Sequence, residues 1–200
     1  MSIPALKHPF SPDDYLAWEA EQEERHEYVA GEVFCISGSS AQHNMVCLNA
    51  AMALRKHGKI NAFHTYALQM KVRVEAADSY FYPDVVETCS PRDAQDPLIQ
   101  REPTLIVEVL SPSTAAYDRG GKFSAYRQLA SLQEYVLIDT DTRATDVYRK
   151  GADGLWVLHP FERHASVELA SVALTLPAAV LFDEVPEHSV DANALSPAPR

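Results

Sequence analysis

Leu105-Ile106-Val107-Glu108-Val109-Leu110, running on into Ser111-Pro112-Ser113-Thr114, sets a single charge inside an otherwise apolar run. A near-continuous apolar segment of this length, stopped by a polar, Pro-containing turn, reads as a central strand buried on both faces. Asp118 to Ala130 reads as a helix, and Tyr135-Val136-Leu137-Ile138 as a second buried strand. Strand, helix and strand make a β-α-β crossover, which points to the α/β class.

Hairpins lie on either side of this unit. Upstream, Ser11-Pro12-Asp13-Asp14 is a helix start, with Ser as N-cap, Pro at the first helical position and acids in the first turn. That helix is expected to reach about Glu24, carrying Asp13, Asp14, Glu19, Glu21, Glu23 and Glu24 on a solvated face. His26 to Ser37 reads as a hairpin turning at Ala30-Gly31. Ala41 to His57 reads as a helix with Met45, Leu48 and Met52 at helical spacing and Gly58 as C-cap. Phe63–Leu68, the alternating Met70–Val74 and Tyr80–Thr88 read as strands, and Ser90–Pro103 as a loop. Downstream, Ala144–Arg149 and Leu155–Phe161 form a hairpin around Gly151–Gly154. A mixed sheet with helices packed on it follows from this order. Residues 1–186 are expected to be one domain, and the polar, Pro/Ala-rich 187–200 a disordered tail.

Two carboxylates stand out chemically. Glu108 lies within the apolar strand, where a lone charge is costly unless paired, protonated or metal-bound. Asp84 lies among strand formers in Phe81-Tyr82-Pro83-Asp84-Val85-Val86, and Pro83 marks a strand start or edge. Brought together by adjacent strands, they would make a hard-oxygen site of the kind Mg²⁺ prefers. The plainer reading of each is a salt-bridged strand residue.

Pro83-Asp84, Val107-Glu108-Val109 with Leu110-Ser111-Pro112-Ser113-Thr114, and then Asp118, Lys122 and Tyr126 together resemble the Uma-two family of bacterial endonucleases, in the PD-(D/E)XK, restriction-endonuclease-like superfamily. Glu27-Tyr28-Val29-Ala30-Gly31 with His43, and Glu134 to Asp139, resemble its N-terminal pattern and its last core strand, so the likeness spans roughly Phe10 to Phe161. It implies a restriction-endonuclease-like core and a metal-dependent endodeoxyribonuclease. Asp84 and Glu108, with the main-chain carbonyl of Val109, would hold Mg²⁺ or Mn²⁺. The superfamily's Lys two residues after the Glu is Leu110 here, so the resemblance moves the role to Lys122 on the following helix. Asp118, Lys122 and Tyr126 are spaced to share one helix face; the plainer alternative is a surface Asp118–Lys122 pair. Glu27 and His43 are accessory candidates, each with an ordinary structural alternative. A homodimer acting on DNA is implied by the superfamily's habit, with Ala144–Phe161 a candidate interface.

Composition narrows the field. Of 200 residues, 46% are hydrophobic, and no run approaches the length of a membrane span. The first ten residues lack the apolar segment of a signal peptide, which makes a cytoplasmic protein the default expectation. Cys35, Cys47 and Cys89 are isolated and odd in number, so buried free thiols are expected rather than a disulfide frame or a zinc ribbon. Gly120-Gly121-Lys122-Phe123-Ser124 is not a P-loop, because Ala116 replaces the required Gly and Phe123 the Ser/Thr. A serine nucleophile elbow, a metalloprotease His pair and an RNA-binding aromatic signature are absent from the sequence. The net charge of −11 works against extended nucleic-acid contact and, with Leu110, favours the second hypothesis: a catalytically silent nuclease fold used for binding or structure. In that case a neighbour such as Arg101 or Arg127 should neutralise Glu108.

Overall fold

Ser11 opens the first helix as its sequence requires: its side chain accepts the Asp14 amide, the Asp14 carboxylate answers to the Ser11 amide, and Pro12 fills the first turn. The computed structural model describes residues 4–6, 10–36, 38–67 and 69–187. Ser37, Leu68 and the expected tail beyond Glu187 lie outside the described residues. A short strand, β1 (Pro4–Leu6), precedes this helix, α1 (Pro12–Glu19). The helix ends at Glu19, short of the expected Glu24, and Glu19 is fully buried instead of lying on a solvated face. The cause is local: its carboxylate accepts the His26 amide and the Tyr82 hydroxyl and pairs with the His26 ring, so the chain folds back over it.

Strands β2 (His26–Val29) and β3 (Glu32–Cys35) form the predicted hairpin. Its turn residues, Ala30 at φ 47° and Gly31 at φ 91°, both take the positive φ that a tight hairpin demands. Helix α2 (Ala41–Asn61) runs past the expected cap at Gly58 and ends on Ala62, whose left-handed conformation returns its N–H to the Gly58 carbonyl. Gly58 serves a different need: a Cβ there would sit 2.9 Å from the Phe63 carbonyl oxygen of the returning chain. The expected apolar stripe is also displaced. Met45 packs against the core, but Leu48 and Met52 are exposed, whereas Val46, Cys47, Ala50 and Leu54 are buried. Val46, Ala50 and Leu54 repeat at i+4, so two stripes satisfy the helical period, and packing selects this one.

Strands β4 (His64–Ala67), β5 (Lys71–Val74), β6 (Ser79–Phe81) and β7 (Val85–Thr88) follow. The segment expected as one strand, Tyr80–Thr88, is thus two, in different sheets, joined by Tyr82-Pro83-Asp84. Pro83 has no N–H to give either ladder. The loop after β7 contains a two-residue strand, β8 (Ile99–Gln100), and is pinned by buried Asp93, which accepts the Thr88 hydroxyl and the amides of Arg101 and Glu102.

Next come β9 (Leu105–Leu110), α3 (Ala115–Tyr117), a π-helical turn (Asp118–Lys122), α4 (Phe123–Tyr126) and β10 (Glu134–Asp139). The crossover helix therefore starts before Asp118 and ends before Ala130. Ser111 nucleates it by accepting the Thr114 amide on its hydroxyl and the Ala115 amide on its carbonyl. Tight turns from Gln128 to Ala125 and Leu129 to Tyr126 end it. Strands β11 (Thr145–Lys150) and β12 (Trp156–Phe161) form the expected hairpin. A further hairpin, β13 (Val167–Leu169) with β14 (Leu174–Leu176), and α5 (Ala178–Leu181) were not foreshadowed by sequence periodicity.

One sheet has the order β1-β3-β2-β6-β5-β8 and the other β12-β11-β10-β9-β7-β4. Parallel pairing occurs at β9–β10 and β5–β8, and the rest is antiparallel. The result is the expected mixed-sheet α/β architecture. The pleat of β9 sorts its side chains between two cores. Leu105, Val107 and Val109 join the α2 residues Val46, Cys47, Ala50 and Leu54. Ile106 and Leu110 join Ala125, Tyr126 and Leu129, together with Val72, Val74 and Phe81 of the other sheet. Among the described residues no helix is long and apolar enough to cross a membrane.

Candidate functional site

Glu108 shares a face of β9 with Ile106 and Leu110, so the pleat aims it at the crossover helix rather than at α2. There the π-helical turn presents Lys122, whose Nζ lies 2.9 Å from Glu27 Oε1, 3.1 Å from Glu108 Oε1 and 3.5 Å from Asp118 Oδ1. Such turns shift helical register locally and are frequent at functional sites. Gly121 lets this one close, because a Cβ there would fall 2.3 Å from the Tyr117 ring. Tyr126, one turn beyond Lys122, donates its hydroxyl to Glu108 Oε1 at 3.1 Å. All of these groups are buried. The alternative of a surface Asp118–Lys122 pair is therefore excluded: Lys122 is 7% exposed and shared among three carboxylates.

Asp84 arrives from the joint between the sheets. Its Oδ2 accepts the Val109 amide at 2.7 Å and faces His43 Nε2 at 3.3 Å. Ser40, the N-cap of α2, fixes the first turn that carries His43. His43 Nδ1 in turn meets Cys47 Sγ at 3.4 Å. Glu27, His43, Asp84, Glu108, Val109, Asp118 and Lys122 all line one cleft of about 520 Å³. The cleft thus gathers the catalytic, metal-ligand and accessory candidates, while Tyr126 reaches Glu108 from outside the cleft wall.

Charge in the cleft is unbalanced. Glu27, Glu108 and Asp118 surround one ammonium, and Asp84 adds a fourth carboxylate facing a half-buried imidazole. Burial drives the Glu108 carboxyl well above the usual carboxylate range; Lys122 opposes the rise, while Asp118, Asp84 and Glu27 reinforce it. Burial also works against the charge of Lys122, but Glu108, Glu27 and Asp118 outweigh it and hold that pKa well above its ordinary value. Lys122 is therefore an ammonium at neutral pH. For His43, burial lowers the pKa, yet Asp84 and the backbone of Val109 raise it further than burial depresses it. Burial pushes the Tyr117 hydroxyl, on the cleft wall, up to about 12. Arg101 pairs with Asp96, and neither it nor Arg127 pairs with Glu108 among the described residues.

The donor chemistry fits a hard divalent ion. Among the described residues Glu108 Oε2 and Asp84 Oδ1 make no hydrogen bond, although both residues line the cleft. Unshared carboxylate oxygens beside surplus negative charge are what Mg²⁺ or Mn²⁺ takes. One cluster was not foreseen: one ligand atom each from His43, Cys47 and Asp84 lie within 4.8 Å of one another. Cys47, expected to be an isolated buried thiol, is buried but not isolated. Its position four residues after His43 on one helix was the available signal. Cys35 is half-buried and Cys89 exposed, so burial holds for only one of the three thiols.

Relatives share this framework. An uncharacterized protein of Synechocystis sp. is 35% identical over 172 residues, covering 86% of this chain and 90% of its own length. A second uncharacterized Synechocystis protein is 32% identical over 160 residues, covering 79% and 90%. A crystal structure from Anabaena variabilis, described as a putative nuclease belonging to DUF820, superposes with a TM-score of 0.73 at 20% identity, over 87% of this chain and 98% of that one. At that identity it speaks for the fold. The Uma2 family, described as "Putative restriction endonuclease", matches residues 12–181, and the chain belongs to that family.

Proposed function

We propose that the protein is a Mg²⁺-dependent nuclease that hydrolyses phosphodiester bonds in DNA, with Mn²⁺ able to substitute. The observation that carries this reading is the buried surplus of carboxylates around Lys122, with oxygens of Glu108 and Asp84 left without protein partners among the described residues. Asp84, Glu108 and the Val109 carbonyl hold the ion. A bound Mg²⁺ acidifies a water and offsets phosphate charge. Lys122, held protonated, orients the incoming water or stabilises charge building on the phosphate, and it cannot serve as a base. Glu27 and Asp118 hold the ammonium in place, and Tyr126 fixes the Glu108 carboxylate. Ser111, Ser113 and Thr114 on the cleft wall offer hydroxyls to a phosphate backbone, a neutral contribution suited to an acidic chain.

The site draws on residues from Glu27 to Lys122, so these elements must fold together, consistent with one domain over residues 1–186. Cutting both strands of a duplex calls for a homodimer. The β11–β12 hairpin is its proposed interface, since Leu155, Val157 and Leu158 are exposed there.

The test is cleavage of supercoiled and single-stranded DNA with and without Mg²⁺ or Mn²⁺, with Glu108→Ala and Lys122→Ala beside wild type. Ion-dependent nicking that disappears in both variants supports the reading. Inactive wild type that also binds no ion in calorimetry leaves a silent binding scaffold.

A further inference from the structure

The His43–Cys47–Asp84 cluster contains a thiol, which the proposed Mg²⁺ site does not use. His43 and Cys47 stand one turn apart on the same face of α2, and Asp84 closes the group from the joint before β7. The imidazole bridges the other two, 3.4 Å from Cys47 Sγ and 3.3 Å from Asp84 Oδ2. A thiol, an imidazole and a carboxylate within 4.8 Å of one another are the donor set of a tetrahedral zinc site with one open position. A nucleophilic role for the thiol is ruled out by access: Cys47 is 1% exposed and is not part of the cleft wall. His43 and Asp84 do reach the cleft, giving an ion an entry path.

We propose that His43, Cys47 and Asp84 form a second cation site, selective for a borderline divalent ion such as Zn²⁺, which shares Asp84 with the nuclease ion and so shuts the nuclease off. Ligand softness sets the selectivity: thiolate and imidazole favour Zn²⁺ and Co²⁺, whereas an all-oxygen set favours Mg²⁺. Binding replaces the S–H bond of Cys47 by a sulfur–metal bond and releases the proton to solvent. With Asp84 engaged, the hard site loses one of its two carboxylates. The inhibitory part rests on the nuclease reading; the binding part does not.

The experiment titrates the reduced full-length chain with Co²⁺ alone, following thiolate-to-metal absorbance, and then displaces Co²⁺ with Zn²⁺ under calorimetry. One equivalent should give the absorbance band. Cys47→Ser should abolish it, Cys35→Ser and Cys89→Ser should keep it, and His43→Gln should weaken binding by more than about tenfold, the least that even outer partners of a ligand contribute. Thermal melts of each variant establish that it is folded. No band in wild type, or a band surviving in Cys47→Ser, overturns the proposal. Glu108→Gln separates the two readings: it should lose Mg²⁺ binding and keep the Co²⁺ band. If cleavage occurs, Zn²⁺ should inhibit wild type and spare Cys47→Ser. Equal inhibition of both overturns the shared-ligand part.

Discussion

Glu134 and Glu108 sit on neighbouring parallel strands, both buried, and the fold treats them in opposite ways. Glu134 begins β10 and is fully satisfied: its Oε1 accepts Arg149 Nε at 2.7 Å and the Ala170 amide at 3.1 Å, and its Oε2 accepts the Ser171 amide at 2.9 Å and the Ser171 hydroxyl. Glu108, in β9, shares one lysine with two other carboxylates and has one oxygen without a protein partner among the described residues. The first is a structural carboxylate, closed on itself. The second carries more negative charge than its one ammonium balances among the described residues. Buried carboxylates are thus informative by what surrounds them rather than by burial.

The largest effect should come from removing the shared cation. Lys122→Ala leaves three buried carboxylates facing one another and should cost about 3–5 kcal/mol in urea unfolding. Arg149→Ala should cost less, about 1–3 kcal/mol, because Glu134 keeps its three other donors. Equal costs would erase the distinction between the two sites. The isosteric amides should then move in opposite directions. Glu134→Gln should lower the melting temperature by weakening a satisfied pair. Glu108→Gln should raise it in metal-free buffer by about 2–4 °C, the shift that roughly 1 kcal/mol gives in a chain of this size. Lys122 keeps Glu27 and Asp118 as counter-charges in that variant.

The pH dependence sharpens the same contrast. The folded-state pKa of Glu108 is raised, so its stabilising contribution is full below the unfolded value of about 4.3 and is lost as pH rises through the folded value. Lys122 is raised as well, so its contribution is full below about 10.4 and is lost only above that. Melts of metal-free protein between about pH 5 and 8 should therefore show wild type losing stability relative to Glu108→Gln as pH rises. Parallel curves would contradict the assignment. The smallest effect tests the helix face: Leu48→Ser should change stability by no more than about 0.5 kcal/mol, because Leu48 is exposed despite its helical spacing.

Much of this was legible in the sequence, for identifiable reasons. Leu105–Leu110 is too apolar to be anything but a central strand, and period two alone puts Glu108 opposite its neighbours Val107 and Val109. Ser11-Pro12 and Ala30-Gly31 carry their geometry locally, and both form as expected. Asp84 and Glu108 were marked by charge in apolar surroundings, while Val109 and Lys122 came from the family resemblance and Glu27 and His43 from its N-terminal pattern; the cleft brings these candidates together. The failures have one cause, tertiary choice among local options. Glu19 reads as another surface acid until Tyr82 and His26 close over it. The α2 sequence offers two apolar stripes, and only the sheet decides between them. Tyr80–Thr88 has continuous strand propensity, and its division between two sheets depends on where Pro83 falls in the assembled fold. The closing hairpin and α5 are short, and their stability comes from the α2 core rather than from their own pattern.

The central claim is that the charge surplus at Glu108 is held for a divalent cation. Its most direct test is the melting temperature of wild type and Glu108→Gln with and without Mg²⁺, in the absence of DNA. An ion that binds only the folded state raises stability by mass action, so Mg²⁺ should raise the melting temperature of wild type and leave the already more stable Glu108→Gln unmoved. No rise in wild type, or the same rise in both, would contradict the account.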